Sequence, residues 1–201
     1  LLAQLSVLAL QMQSRRQAQD GAQVRVAYDE ALELLDAVYA EAVLKVGADL
    51  AVLEHDLGRD EVLYVHQLLQ EYFAARHLAR QPQPALVRQT WQGTEVQPGL
   101  AETLQTLADS EPLPPLPGTG WEETMVLAVA MAAQPEAVLT ELMAHNLALA
   151  GRCAAQPEVQ VSEAFAQAHG LRPGAKLSAL INGRQRALLV YRELRRQSGH
   201  S

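Results

Sequence analysis

The chain has 201 residues, of which 49% are hydrophobic and only 4% aromatic, enough to bury a real core through small and branched aliphatic side chains packed between helices. The net charge of -7 hides an asymmetry: residues 1–170 hold 22 acidic and 9 basic side chains, whereas 171–201 hold seven basic residues against Glu193 alone. One cysteine, Cys153, excludes an internal disulfide and a cysteine metal cluster, and fits a reducing, cytoplasmic setting.

The sequence opens on Leu1 rather than methionine and reads as a piece or processed product of a longer protein. Residues 1–10 are apolar enough to imitate a signal-peptide core. No basic segment precedes them, however, and Gln4 and Ser6 interrupt the run, so an ordinary buried helix is expected. No other run approaches the ~18–20 apolar residues of a membrane span, and a soluble protein is expected.

Periodicity predicts helices over about 3–19 and 27–46, separated at Asp20-Gly21. Residues 50–55 and 61–65 are short, β-tolerant runs around Asp56-Leu57-Gly58-Arg59-Asp60, a loop of hairpin length. Val65, Leu68, Leu69, Tyr72 and Phe73 then recur at helical spacing and predict a further helix with these residues against a core. Gln81-Pro82-Gln83-Pro84 ends it, because proline removes a donor and pushes the preceding residue out of the helical region. Helix, helix, hairpin, helix is compatible with a winged helix whose wing is the hairpin.

Beyond this boundary, helices are expected over 84–92 and 99–109, followed by the stiff proline-rich stretch 111–118. Thr119-Gly120-Trp121-Glu122 fits a capping box, with Thr119 as N-cap and Glu122 reaching back, ahead of the apolar run 125–133. Pro135 suits the first turn of the next helix, and Asn146 can cap another through Leu147, Ala150 and Arg152. A last helix is expected over 178–196. The fold class is therefore mainly α, with a winged-helix-like subdomain (1–83) followed by a helical, solenoid-like arm (84–201).

Val65-His66-Gln67-Leu68-Leu69-Gln70-Glu71-Tyr72-Phe73-Ala74-Ala75-Arg76 resembles the F-x-H-x-x-x-Q-E-Y-F-A-A signature that closes the winged-helix part of NACHT-type STAND nucleotidases. The stretches Leu116-Pro117-Gly118-Thr119-Gly120-Trp121-Glu122-Glu123-Thr124 and Asn146-Leu147-Ala148-Leu149-Ala150-Gly151-Arg152-Cys153 are similar to the helical continuation in bacterial members. Together the matches cover about residues 50–155. The resemblance implies that His66 reaches the phosphate of bound ADP and senses nucleotide state, while Gln70, Glu71, Tyr72 and Phe73 pack and position its helix. It implies ADP or ATP with magnesium in the parent protein, a nucleotidase half on the same polypeptide as partner, and homo-oligomerisation on activation. The segment itself carries neither the phosphate-loop nor the magnesium-binding motif, so it is expected to bind no cofactor alone and to be no enzyme.

The residues leave other readings open. His66 could simply cap a helix start, and the chain could be a free-standing helical-repeat adaptor for protein–protein interaction. A winged helix reading DNA through the basic tail is disfavoured by the acidic first subdomain. The tail itself reads as a helix with a solvated basic face or one docked on the acidic body. His66 and His77 lie about 16 Å apart along a helix, too far to share a metal, and 170–178 has the residue types of a phosphate loop in the wrong order. Glu122 and Glu123 read as helix N-terminal residues, and Cys153 as an inert, buried thiol.

Overall fold

A computed structural model describes residues 1–15, 24–35, 38–88 and 118–169. The expected helices over 99–109 and 178–196, the proline-rich stretch up to 117 and the basic tail lie outside the described residues. What is described is mainly helical with one small antiparallel sheet, and it falls into two units.

The first unit comprises Leu1–Gln83 together with Glu123–Ala133. Its elements are α1 (Leu2–Ser14), β1 (Arg25–Ala27), α2 (Tyr28–Leu35), α3 (Ala40–Asp49), β2 (Leu53–Asp56), β3 (Glu61–Tyr64), α4 (Gln67–Leu78) and the returning α5 (Glu122–Met131). The strands pair antiparallel in the order β1-β3-β2, with Val26 opposite Val62 and His55 opposite the same residue from the other side. Helix, strand, two helices, hairpin and helix, with the first strand beside the last, is a winged-helix-like arrangement. The expected single helix over 27–46 is corrected: Ala27 belongs to β1, where it faces Glu61, and two separate helices follow.

The core follows from side-chain spacing. In α1, Leu5, Leu8, Ala9 and Met12 fall on one face and are buried. They pack along α4, where Ala74 and Ala75, with no exposed surface, permit close approach. Val26, Leu44, Leu53, Val62, Tyr64 and Phe73 join the same cluster. At roughly 1.5–3 kcal/mol per buried large aliphatic or aromatic side chain, this cluster is the main source of the unit's stability. The apolar start of the chain is thus a buried helix, and among the described residues no helix is long and apolar enough to cross a membrane.

Local chemistry fixes the turns. Asp56 Oδ1 accepts from the Gly58 and Arg59 amides at 3.0 and 3.3 Å, an Asx-type turn that closes the wing. The left-handed position in that loop is taken by Asp60 (φ 55°), whose carbonyl accepts from the Tyr28 amide at 2.9 Å. After α3, the Val52 amide reaches the Gly47 carbonyl and the Ala51 amide reaches Ala48, each at 2.9 Å, which is a Schellman cap with Ala51 in the left-handed region (φ 53°). Gly47 suits a close approach: a Cβ there would stand 2.7 Å from Leu53 Cδ1, so a larger residue would make the Leu53 side chain shift.

The second unit holds the described residues among 84–122 and 134–169. The expected helix over 84–92 is instead a single 3-10 turn, Pro84–Val87. It packs against α6 (Pro135–His145), which is followed by α7 (Leu147–Ala154) and α8 (Glu163–Ala168). Pro135 occupies the first turn of α6, where a missing amide costs nothing. Asn146 separates α6 from α7 and works in both directions: Oδ1 accepts from the Leu149 amide at 3.0 Å, and Nδ2 donates to the Val87 carbonyl at 3.1 Å. Val87, Leu139, Leu142 and Cys153 are buried in this unit.

The expected capping box is corrected: Gly120 takes a left-handed conformation (φ 85°) and α5 begins only at Glu122, so Thr119 stands outside the helix and only the reach-back of Glu122 is kept, in a turn that precedes it. Glu122 accepts from the Thr119 and Gly120 amides at 2.6 and 2.9 Å, and Thr119 Oγ1 accepts from the Trp121 amide at 3.3 Å.

Candidate functional site

His66 stands where β3 hands over to α4. Val65, just before it, donates its amide to the Val52 carbonyl at 3.1 Å, so the wing positions the handover. His66 itself is extended (φ -148°, ψ 140°) and is the N-cap of α4. Its Nδ1 accepts from the Leu68 amide at 3.1 Å, and its carbonyl accepts from the Leu69 amide at 3.0 Å. The imidazole thereby does the work usually done by serine or aspartate at such a position.

That hydrogen bond has a chemical consequence. A ring nitrogen that accepts must carry a lone pair, so in this arrangement the proton sits on Nε2, which is a donor. The residue is exposed. The geometry thus leaves an N–H donor at the positive end of a twelve-residue helix, a place where negative charge is stabilised. Capping and donation use different nitrogens and are compatible.

The rest of the signature helix divides between inside and outside. Gln70 and Glu71 are buried, and Glu71 accepts from Gln67 Nε2 at 2.6 Å. Phe73 is buried against Tyr64, ring centroids 5.9 Å apart. Tyr72 lies 38% exposed, edge-on to Phe73, and its hydroxyl accepts from Arg76 at 3.3 Å.

The face expected from apolar periodicity is therefore corrected. Phe73 and half-buried Leu69 do meet the core, but Leu68 is 63% exposed and Val65 and Tyr72 are also at the surface. The buried face is instead Gln70, Glu71, Ala74, Ala75 and Leu78, because the alanines let α1 come close. The outer face of α4 consequently presents Leu68, Tyr72 and Arg76 at i, i+4 and i+8.

Other residues sort themselves quickly. Among the described residues no three His, Cys, Asp or Glu side chains stand close enough to hold a metal ion. Cys153 is buried with no exposed surface. Sequence reasoning missed a cross-element pair in the first unit: the Tyr28 ring stacks on His55 at 4.6 Å and 18°, and His55 Nε2 lies 3.0 Å from Asp60 Oδ1. No local pattern announces it, since Tyr28 opens α2 and His55 lies on β2.

No family model matches the chain, and neither does any curated protein or any solved structure.

Proposed function

We propose that this chain is the regulatory portion of a NACHT-type STAND signalling switch, with His66 sensing the phosphate of ADP and stabilising the resting state. The observation that carries the reading is the division of labour within one ring: Nδ1 is committed to the Leu68 amide, which turns Nε2–H outward as a donor beside a helix N-terminus. Such a donor can pair with a β-phosphate oxygen through a charge-assisted bond. When a further phosphate arrives, the contact changes, and differential contact with two nucleotide states is what a switch needs. The winged-helix-like order of elements and the signature residues at this junction agree with the reading. ADP and ATP with magnesium would be bound with a nucleotidase half, which supplies the phosphate loop; this segment contributes the sensor. Activation would then lead to homo-oligomerisation in the cytoplasm.

The electrostatics favour protein partners over nucleic acid. The outward residues of α3 include Glu41 and Asp49 against Lys45, and Lys45 is already paired with Asp49 at 2.8 Å. The wing adds Glu54, Asp56, Asp60 and Glu61 against Arg59 and against Arg25, which pairs with Asp56 and Glu61 at 3.7 and 3.6 Å, so the balance stays acidic. A surface of this sign repels duplex phosphates. The exposed Leu68 and Tyr72 favour the second reading, a helical adaptor that binds another protein.

The discriminating variant is His66→Asn in the polypeptide that joins this segment to its nucleotidase half. Asparagine is a good N-cap, so the helix start survives while the ring donor is lost. The expected result is native thermal stability with loss of co-purifying ADP and raised basal activity. Native ADP retention in a folded His66→Asn protein would reduce His66 to a cap.

A further inference from the structure

The outward edge of α4 ends in a cation that nothing neutralises. Leu68 and Tyr72 are exposed, and one turn further on stands half-buried Arg76, so the three form a row about 12 Å long on one face. The guanidinium is held in place: its Cζ lies 5.8 Å from the centroid of the Tyr72 ring, and Nη1 donates to the Tyr72 hydroxyl at 3.3 Å. Its Nε is shielded from water and has no acceptor among the described residues. Arg15, Arg25 and Lys45 of the same unit each meet a carboxylate, on Glu30, on Asp56 with Glu61, and on Asp49. Among the described residues Arg76 meets none. The sole carboxylate of α4, Glu71, is buried and accepts from Gln67. A place in the last turn of a helix favours a cation, but it leaves the guanidinium's remaining donors unused.

We propose that this face receives an amphipathic helix of a partner protein, its aliphatic side chains covering Leu68 and Tyr72 and a glutamate or aspartate one turn on pairing with the Arg76 guanidinium. Charge complementarity selects the acid: a planar, weakly hydrated guanidinium already fixed against an aromatic ring loses little freedom when a carboxylate accepts from it. The row of i, i+4 and i+8 positions selects a helix, because another helix presents side chains at the same spacing. A second copy of this chain fits less well, since its own α4 brings the same leucine, tyrosine and arginine and no outward acid. Leu68, 63% exposed, selects a protein over a nucleic acid, whose phosphates would satisfy the cation and leave the leucine in water. The proposal stands whether or not His66 senses a nucleotide.

The test is fluorescence anisotropy of the full chain with a labelled, stapled helical peptide that carries leucine, leucine and glutamate at i, i+4 and i+8 of one face, beside the same peptide with glutamine for glutamate. The native chain is expected to bind the glutamate peptide about fivefold more tightly. Arg76→Gln should erase that preference, and Leu68→Ser, at an exposed position, should weaken both peptides alike. Arg59→Gln, which removes an exposed wing cation, should change nothing. Circular dichroism confirms that each variant is folded. Absence of binding by the native chain, equal affinity for the two peptides, a preference that survives Arg76→Gln or disappears in Arg59→Gln, or unchanged binding by Leu68→Ser each overturns the proposal. Self-association of the native chain that Leu68→Ser removes would assign the face to a second copy, and capture of a labelled oligonucleotide that Arg76→Gln removes would assign it to nucleic acid; either overturns it too.

Discussion

The Tyr64 hydroxyl donates to the Leu5 carbonyl at 2.6 Å, joining the end of the wing to the first helix across 59 positions of sequence. Tyr64 is almost fully buried, and α1, β3 and α4 meet around it. Burial raises the phenol's pKa above its ordinary value, with a backbone contact to Ala9 acting the other way.

The sign of this shift sets a pH window. The folded state holds the phenol neutral, so its contribution is fully present below the ordinary tyrosine value of about 10 and declines as pH rises above it, where only the unfolded chain ionises. Tyr64→Phe is expected to cost about 1–2 kcal/mol near neutrality, by loss of a buried hydrogen bond. It should also flatten the loss of stability above about pH 10. Urea titrations of both proteins across that range check this; parallel pH profiles would show that Tyr64 is not the group responsible.

The second expectation concerns Gln13 and Thr124, whose side chains meet at 2.7 Å in a buried position. Thr124→Val keeps the shape and removes the acceptor. A cost of about 1–3 kcal/mol is expected, since a buried hydrogen bond is lost. Adding Gln13→Leu should recover part of that cost, and a double-mutant cycle measures the coupling. Strict additivity would show that the two groups act independently.

Ala51 gives the opposite sign. Left-handed backbone costs an L-residue about 1–2 kcal/mol, while glycine there loses about 0.4–1 kcal/mol more unfolded-state entropy. The first effect wins, so Ala51→Gly should stabilise the protein by roughly 0.5–1 kcal/mol. A lowered denaturation midpoint would mean that the Schellman geometry after α3 does not persist in solution.

Asn146 separates capping from tethering. Aspartate caps as well as asparagine does, but Asn146→Asp places an oxygen where Nδ2 now donates to the Val87 carbonyl. It should therefore destabilise the second unit by about 1–2 kcal/mol, close to Asn146→Ala. Native-like stability of Asn146→Asp would show that only the cap matters.

These residues also mark what the sequence makes legible. The wing turn, the reach-back of Glu122 to the Thr119 amide, Pro135 and Asn146 could be read because each acts within a few positions of itself. Strand β1 could not: three residues carry too little alternation, and its ladder to Glu61–Leu63 closes only in space. The face of α4 was misread for a different reason. Hydrophobicity weights Val65, Leu68 and Tyr72 above alanine, whereas close helix packing rewards Ala74 and Ala75 for being small. At the site, the position of His66 follows from the wing–helix junction, but the assignment of its two nitrogens needs the Leu68 amide in place. The Tyr28–His55 stack is legible only once the sheet has formed.

The path of the chain through the first unit has a consequence for how the protein can be divided. Helix α5 belongs with α1, although nearly forty residues of another unit's sequence separate Gln83 from Glu123. A gene fragment stopping at Gln83 would encode all three described strands of the sheet and still lack Thr124, the acceptor of the buried Gln13 hydrogen bond. Cleavage at that point would therefore yield a damaged module, and expression of the first unit must run on through the stretch that follows to include α5.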